Sequence, residues 1–165
     1  MQRIAMLCAA LIATAACNTD ITGLEPPSDP AADTFAPSLG VSVSTMTKTA
    51  SGLYFQDVVI GTGPEVTTAT DSVRVTYAGY LIDGKLFDSG SNTTFQLGLL
   101  IQGFREGMIG MKEGGIRKLV IPSALGYANV TQRDLEGRIT IPRQSTLVFD
   151  VDVRRVHNPP PPETP

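Results

Sequence analysis

Arg74-Val-Thr-Tyr-Ala-Gly-Tyr-Leu-Ile-Asp-Gly-Lys-Leu-Phe-Asp-Ser89 reads as strand, tight turn and strand. Val73, Val75, Tyr77, Gly79 and Leu81 alternate with Arg74, Thr76, Ala78 and Tyr80, the period of two that marks a β-strand. Asp83-Gly84 tolerates φ > 0 and predicts a type I′ hairpin turn. Leu86-Phe87-Asp88 then returns an aromatic ring and a carboxylate beside Tyr77. A phenol, a phenyl ring and one acid on a rigid hairpin suit the wall of a pocket.

Working outward, Gly52–Ile60 is β-prone and Gly61-Thr-Gly-Pro64 ends it. The hairpin's first strand covers Ser72 to Leu81, and Thr94–Leu97 reads as a further short strand. From Leu100 to Met111, apolar residues fall at 100, 101, 104, 108 and 111, one stripe of a helix. Three glycines in that stretch argue for a short helix held by packing rather than by its own propensity. Lys112–Gly115 is a turn, Ile116–Ile121 a strand stopped by Pro122, and Ala128–Thr140 a polar loop. Thr146–Val156 is the last strand, with Leu147, Phe149, Val151 and Val153 on one face. About five antiparallel strands and one short helix predict an α+β domain, a sheet with one face covered by the helix.

The ends are of another character. One positive charge at Arg3, the apolar run Ile4–Ala13 and the small residues Thr14-Ala-Ala16 predict a signal peptide over 1–16. The run is too short for a membrane-spanning helix. Cys17 follows directly, so the segment resembles a bacterial lipoprotein signal, although Thr14 stands where Leu is usual. That resemblance implies a lipid on Cys17, a membrane anchor through it, and a place in the cell envelope; simple export with cleavage near Ala15 or Ala16 is the other reading. Residues 17–48 are rich in Thr, Ser, Pro, Ala and Asp and read as a flexible linker, with Phe35 and Leu39 solvated. The folded domain is set at 49–157, and 158–165 is a Pro-rich, extended tail.

The 165 residues carry a net charge of -3, which offers no basic field for nucleic acid. The single histidine, His157, sits at the edge of the tail, so a Ser-His or Cys-His pair is not expected. Thiolate and imidazole ligands for a metal are lacking, and no cofactor is expected. Gly61-Thr-Gly63 lacks the third glycine and the helix of a dinucleotide loop. What remains is a set of rings and apolar side chains with a few hydroxyls: Tyr77, Phe87, Phe104, Tyr127, Ile141 and Phe149, with Asp88. Each alone is more often core than site.

Their order is informative. Val75–Leu81, Asp83–Ser89, Leu100-Ile-Gln-Gly-Phe104, Gly114 through Pro122, Leu125-Gly-Tyr127, Ile141-Pro142 and Thr146–Asp150 closely resemble the FKBP family of peptidyl-prolyl cis-trans isomerases, which bind tacrolimus and rapamycin. The resemblance runs from about Ser51 to Val156. It implies a curved antiparallel sheet wrapped around one short α-helix, with the site between them. It further implies isomerase activity on Xaa-Pro bonds of exported proteins, proline-containing polypeptides as partners, and a monomer. A domain that only holds proline segments, as a chaperone or adaptor, is the other reading.

Carried over by motif, the catalytic residues would be Tyr77, Asp88 and Tyr127. The substrate would rest on Phe87, Leu100, Ile101, Phe104, Ile141 and Phe149. Phe104 would be the floor, where the family commonly has Trp. The Ile101 backbone N–H and the Tyr127 hydroxyl would each bind a substrate carbonyl. Strict alternation puts Phe87 and Asp88 on opposite faces, so a bulge or strand end is required there. Thr93 stands where some members have a second ring and would leave one wall open. Ala128 replaces the usual Gly after the tyrosine, and the loop 128–138 is longer than in compact members.

Overall fold

The computed structural model describes residues 26–158. The signal peptide expected at 1–16, Cys17 and the prolines from Pro159 onward lie outside the described residues. Eight strands and one helix follow in order: β1 (Thr47–Lys48), β2 (Tyr54–Val59), β3 (Ser72–Leu81), β4 (Leu86–Gln96), α1 (Gln102–Met108), β5 (Ile116–Ile121), β6 (Gln132–Arg133), β7 (Ile139–Ile141) and β8 (Leu147–His157). Six of the strands make one antiparallel sheet in the order β1-β2-β5-β8-β3-β4. The short β6–β7 hairpin stands apart, inside the stretch read above as polar loop. Asp134 makes its turn, accepting from the N–H groups of Glu136 and Arg138.

One face of the sheet holds the main core. Val73 and Val75 of β3, Leu119 and Ile121 of β5, and Phe149, Val151 and Val153 of β8 meet Phe104 and Met108 of α1. The helix glycines have a packing reason. A Cβ on Gly103 would lie 2.3 Å from Ile121 Cγ2, and one on Gly107 2.5 Å from Leu119 Cδ2. Only glycine lets this helix lie so close to β5. Its far end is tied by Arg117, whose Nη1 donates to the carbonyls of Gly107 and Ile109. The same guanidinium grips both oxygens of Asp57 and lies over the Phe55 ring.

The opposite face carries an apolar row across four strands. Tyr54 pairs with Val120, Val120 with Val148, and Val148 with Tyr80. Such a row exposed to water would be unfavourable, by roughly 25 cal/mol for each Å². Residues 28–46 cover it as a strap, with Leu39 5% and Met46 8% exposed and Phe35, Val41 and Val43 packed beside them. The reading of Phe35 and Leu39 as solvated is therefore corrected over this part of the linker. Val120 and Val148 need a second packing layer, and the strap is the segment that supplies it.

The hairpin turn is also corrected. Leu81 N–H donates to Lys85 C=O and Gly84 N–H to Leu81 C=O, which closes a three-residue loop. Gly84 alone takes the left-handed conformation, at φ 87°, and Asp83 does not share it. This is a type I turn followed by a glycine bulge rather than type I′. Asp83 Oδ1 instead accepts from Lys85 N–H.

Candidate active site

The hollow begins at the bulge that the sequence requires. Gly79 pairs with Asp88 and Tyr80 with Leu86, leaving Phe87 as the extra residue in β4. Both Phe87 and Asp88 thus reach the helix side of the sheet. Gly79 makes room for the rings, since a Cβ there would sit 2.7 Å from both Phe149 and Phe87. A second irregularity, between the pairs Val75–Thr93 and Tyr77–Gly90, bends β4 again. Asn92 turns there with φ 53°.

Tyr77, Asp88, Phe95, Leu99, Leu100, Ile101, Phe104, Tyr127 and Phe149 line a hollow of about 250 Å³ between the bent strands and the start of α1. Its rings meet edge to face. Phe104 lies 5.1 Å from Phe149 and 6.4 Å from Tyr77, and Tyr77 lies 5.5 Å from Phe95, centroid to centroid. Such contacts hold each ring at a fixed angle as well as keeping it dry.

Seven of the side chains singled out in the sequence therefore share one cavity. Phe87 and Ile141 do not line it. Phe87 stands behind Phe149, at 5.5 Å and nearly perpendicular, and supports that ring. Ile141 is buried in the main core. Phe95 and Leu99 were missed. Phe95 is opposite Val73 in the β3–β4 register, which puts it on the helix side, and it fills the wall that Thr93 would leave open. The signal was the alternation of Phe95 with Thr94 and Gln96. Leu99 is 82% exposed at the rim.

The polar groups are few and directed. Tyr77 donates its hydroxyl proton to Asp88 Oδ2 at 2.9 Å. Burial, and then the Asp88 bond and charge, push the Tyr77 hydroxyl up to about 12. Burial, and then the charge of Asp88, also raise Tyr127. Among the described residues the Tyr127 hydroxyl and the Ile101 N–H have no hydrogen-bond partner. Ile101 precedes the helix with φ -54° and ψ 147°, and its carbonyl accepts from Arg105. The tyrosine is presented by a loop in which Ala128 takes φ 47°. The family's glycine would adopt that angle without the cost of about 1–2 kcal/mol that alanine bears. Ala128 is held there by two bonds, its N–H to Ser123 C=O and its C=O from Gln144 N–H.

A titration checks this electrostatic arrangement. The fold favours the neutral Tyr77 phenol, so this contribution to stability is complete below pH 10 and is lost as pH rises through about 12. In Asp88→Asn, tyrosinate absorbance should show this group titrating earlier, yet still above a free tyrosine, because burial remains. A titration curve unmoved by Asp88→Asn would detach the two residues.

Residues 63–154 match the family model for FKBP-type peptidyl-prolyl cis-trans isomerase. The chain is 42% identical over 123 residues to the FKBP-type peptidyl-prolyl cis-trans isomerase FkpA of Escherichia coli, covering 72% of this chain and 41% of that one. It is 39% identical over 107 residues to FK506-binding protein 4 of Dictyostelium discoideum, covering 62% and 28%. The chain thus spans less than half the length of these two relatives. A solved peptidyl-prolyl cis-trans isomerase of Pseudomonas syringae superposes with a TM-score of 0.62 at 31% identity, over 68% of this chain and 81% of that one.

Proposed function

The chain belongs to the FKBP-type peptidyl-prolyl cis-trans isomerase family, and on that premise we propose that it accelerates rotation about Xaa-Pro bonds by seating the prolyl ring in the hollow beside Phe104. The observation that carries this reading is a ring-walled cavity whose lining residues include Tyr127 and Ile101, with the Tyr127 O–H and the Ile101 N–H unpaired among the described residues.

The uncatalysed bond crosses a barrier of about 18–20 kcal/mol and takes tens to hundreds of seconds. Shortening this to about a millisecond requires roughly 10⁵-fold, or about 7 kcal/mol. No covalent bond forms, so no nucleophile is needed. A planar amide owes part of its stability to charge separation, which water supports. The twisted state has lost that separation. Apolar rings in place of water therefore favour the twisted state over the planar one, which is differential binding. Tyr127 and Ile101 hold the flanking carbonyls while the ring stays on Phe104. Asp88, fixed by Tyr77, faces the rotating amide.

Several relatives carry FK506 in their names, and FK506-type ligands are proposed to occupy the same hollow. The leader and Cys17 support export and lipid anchoring at the cell envelope, with exported, proline-containing polypeptides as clients.

A peptide isomerisation assay on the chain without its first 16 residues is the test. Acceleration that rapamycin suppresses is the expected result. Tyr127→Phe should lower kcat/KM about tenfold with an unchanged melting temperature, since one directed hydrogen bond is removed and no ring. An uncatalysed rate from the folded wild-type chain would overturn the proposal and leave simple binding of proline segments.

A further inference from the structure

Ser28 and Asp33 of the strap lie outside the family match at 63–154, yet Ser28 is bonded to Ser123, in the loop that presents Tyr127, and Asp33 to Thr146, just before β8. Ser28 and Ser123 make a reciprocal pair: Ser28 N–H donates to Ser123 Oγ, and Ser123 N–H donates to Ser28 Oγ, both at 2.8 Å. Thr146 Oγ1 lies 2.8 Å from Ser28 Oγ and 2.5 Å from Asp33 Oδ2. A carboxylate can only accept, so the Thr146 proton goes to Asp33 and the Ser28 hydroxyl donates to Thr146. Every proton in the chain then has one direction.

Ser123 passes this order on. It is fully buried. Its carbonyl accepts from Gly126 N–H at 3.0 Å and Ala128 N–H at 2.8 Å, the two neighbours of Tyr127. Its hydroxyl donates to Gln144 Oε1 at 2.7 Å, and Gln144 N–H donates back to Ala128 C=O at 2.7 Å. The strap also holds the turn that feeds Asp88, through Ala36 N–H to Ile82 C=O at 2.8 Å. One segment outside the family core therefore touches the loops behind both polar sides of the hollow.

We propose that the strap is a latch on the active site, with Ser28 as a positioning residue that acts through Ser123 on Tyr127. This rests on the isomerase reading above. While the latch is closed, the positive φ of Ala128 and the aim of the Tyr127 hydroxyl are maintained. When the strap lifts at Ser28, that loop loosens and turnover falls, while the sheet and its core stay intact.

Two measurements on the full chain without its signal test this. Ser28→Ala should lower kcat/KM on an Xaa-Pro peptide about tenfold, a loss of aim rather than of contact. Ser28→Thr, which keeps the hydroxyl, should restore most of it. In a Tyr127→Phe background the same Ser28→Ala change should have almost no effect, because the hydroxyl it aims is gone. Independently of turnover, amide exchange at Ser123, Gly126 and Ala128 should quicken about tenfold in Ser28→Ala while β3, β5 and β8 keep their protection. Equal loss in both backgrounds, or unchanged exchange at these three amides, would overturn the latch. Should the wild-type chain prove inactive, the isomerase reading fails and the exchange measurement alone decides whether Ser28 orders the Tyr127 loop.

Discussion

Phe149→Ala is expected to destabilise the domain by about 3–5 kcal/mol and to abolish measurable turnover. Phe149 is 5% exposed and belongs at once to the core and to the hollow. It meets Phe104 on one side and Phe87 on the other, and Gly79 is shaped around it. Removing the ring leaves a cavity where the substrate's proline would press against Phe104. The two effects separate in Phe149→Leu, which nearly conserves volume and should cost less than about 1.5 kcal/mol. Its kcat/KM should still fall about tenfold, because the flat edge-to-face wall is gone. Denaturant melts and the peptide assay read the two quantities. Wild-type turnover in Phe149→Leu would remove that ring from the site.

The second large effect is expected at Arg117. Its side chain is buried against Phe55, grips Asp57 with two nitrogens, and holds the last carbonyls of α1. Arg117→Met fills much of the volume but leaves Asp57 and two carbonyls without their donor. Breaking one side of such an arrangement costs about 3–5 kcal/mol in a buried site. Asp57 is one-third exposed, so screening by water places the expectation near the lower end, about 3 kcal/mol. For a domain of this size that is a fall in melting temperature of more than about 10 °C. Asp57→Asn should cost less, since it keeps an oxygen for the guanidinium. A melting temperature within a few degrees of wild type in Arg117→Met would show that α1 is held by its apolar face alone.

The parts of the fold legible in the sequence were those with a clean period. β3 and β5 have the bounds that their alternation and the stop at Pro122 gave, Ser72–Leu81 and Ile116–Ile121. The helix was legible in its apolar stripe, and its three glycines correctly marked it as short, although it starts only at Gln102. The strap was not legible in its own residues, because Phe35, Leu39, Val41, Val43 and Met46 fit helix and strand spacing alike, while the segment forms only two short 3-10 turns. Its trace lay elsewhere. Leu119-Val-Ile121 and Leu147-Val-Phe149 are continuous apolar runs, which mark strands buried on both faces, and something had to cover the second face. At the hollow, the singled-out residues that project from regular strands or follow a strong motif are the ones that line it. Phe87 was misplaced because the bulge that brings it inward also turns it behind Phe149. Ile141 was misplaced because its position depends on the β6–β7 hairpin, which local pattern did not reveal.

Ser28 is pinned beside Thr146, and β8 then runs its 11 residues from Leu147 to His157. At about 3.3 Å per residue, Ser28 and His157 therefore stand roughly 33 Å apart, at the two ends of one strand.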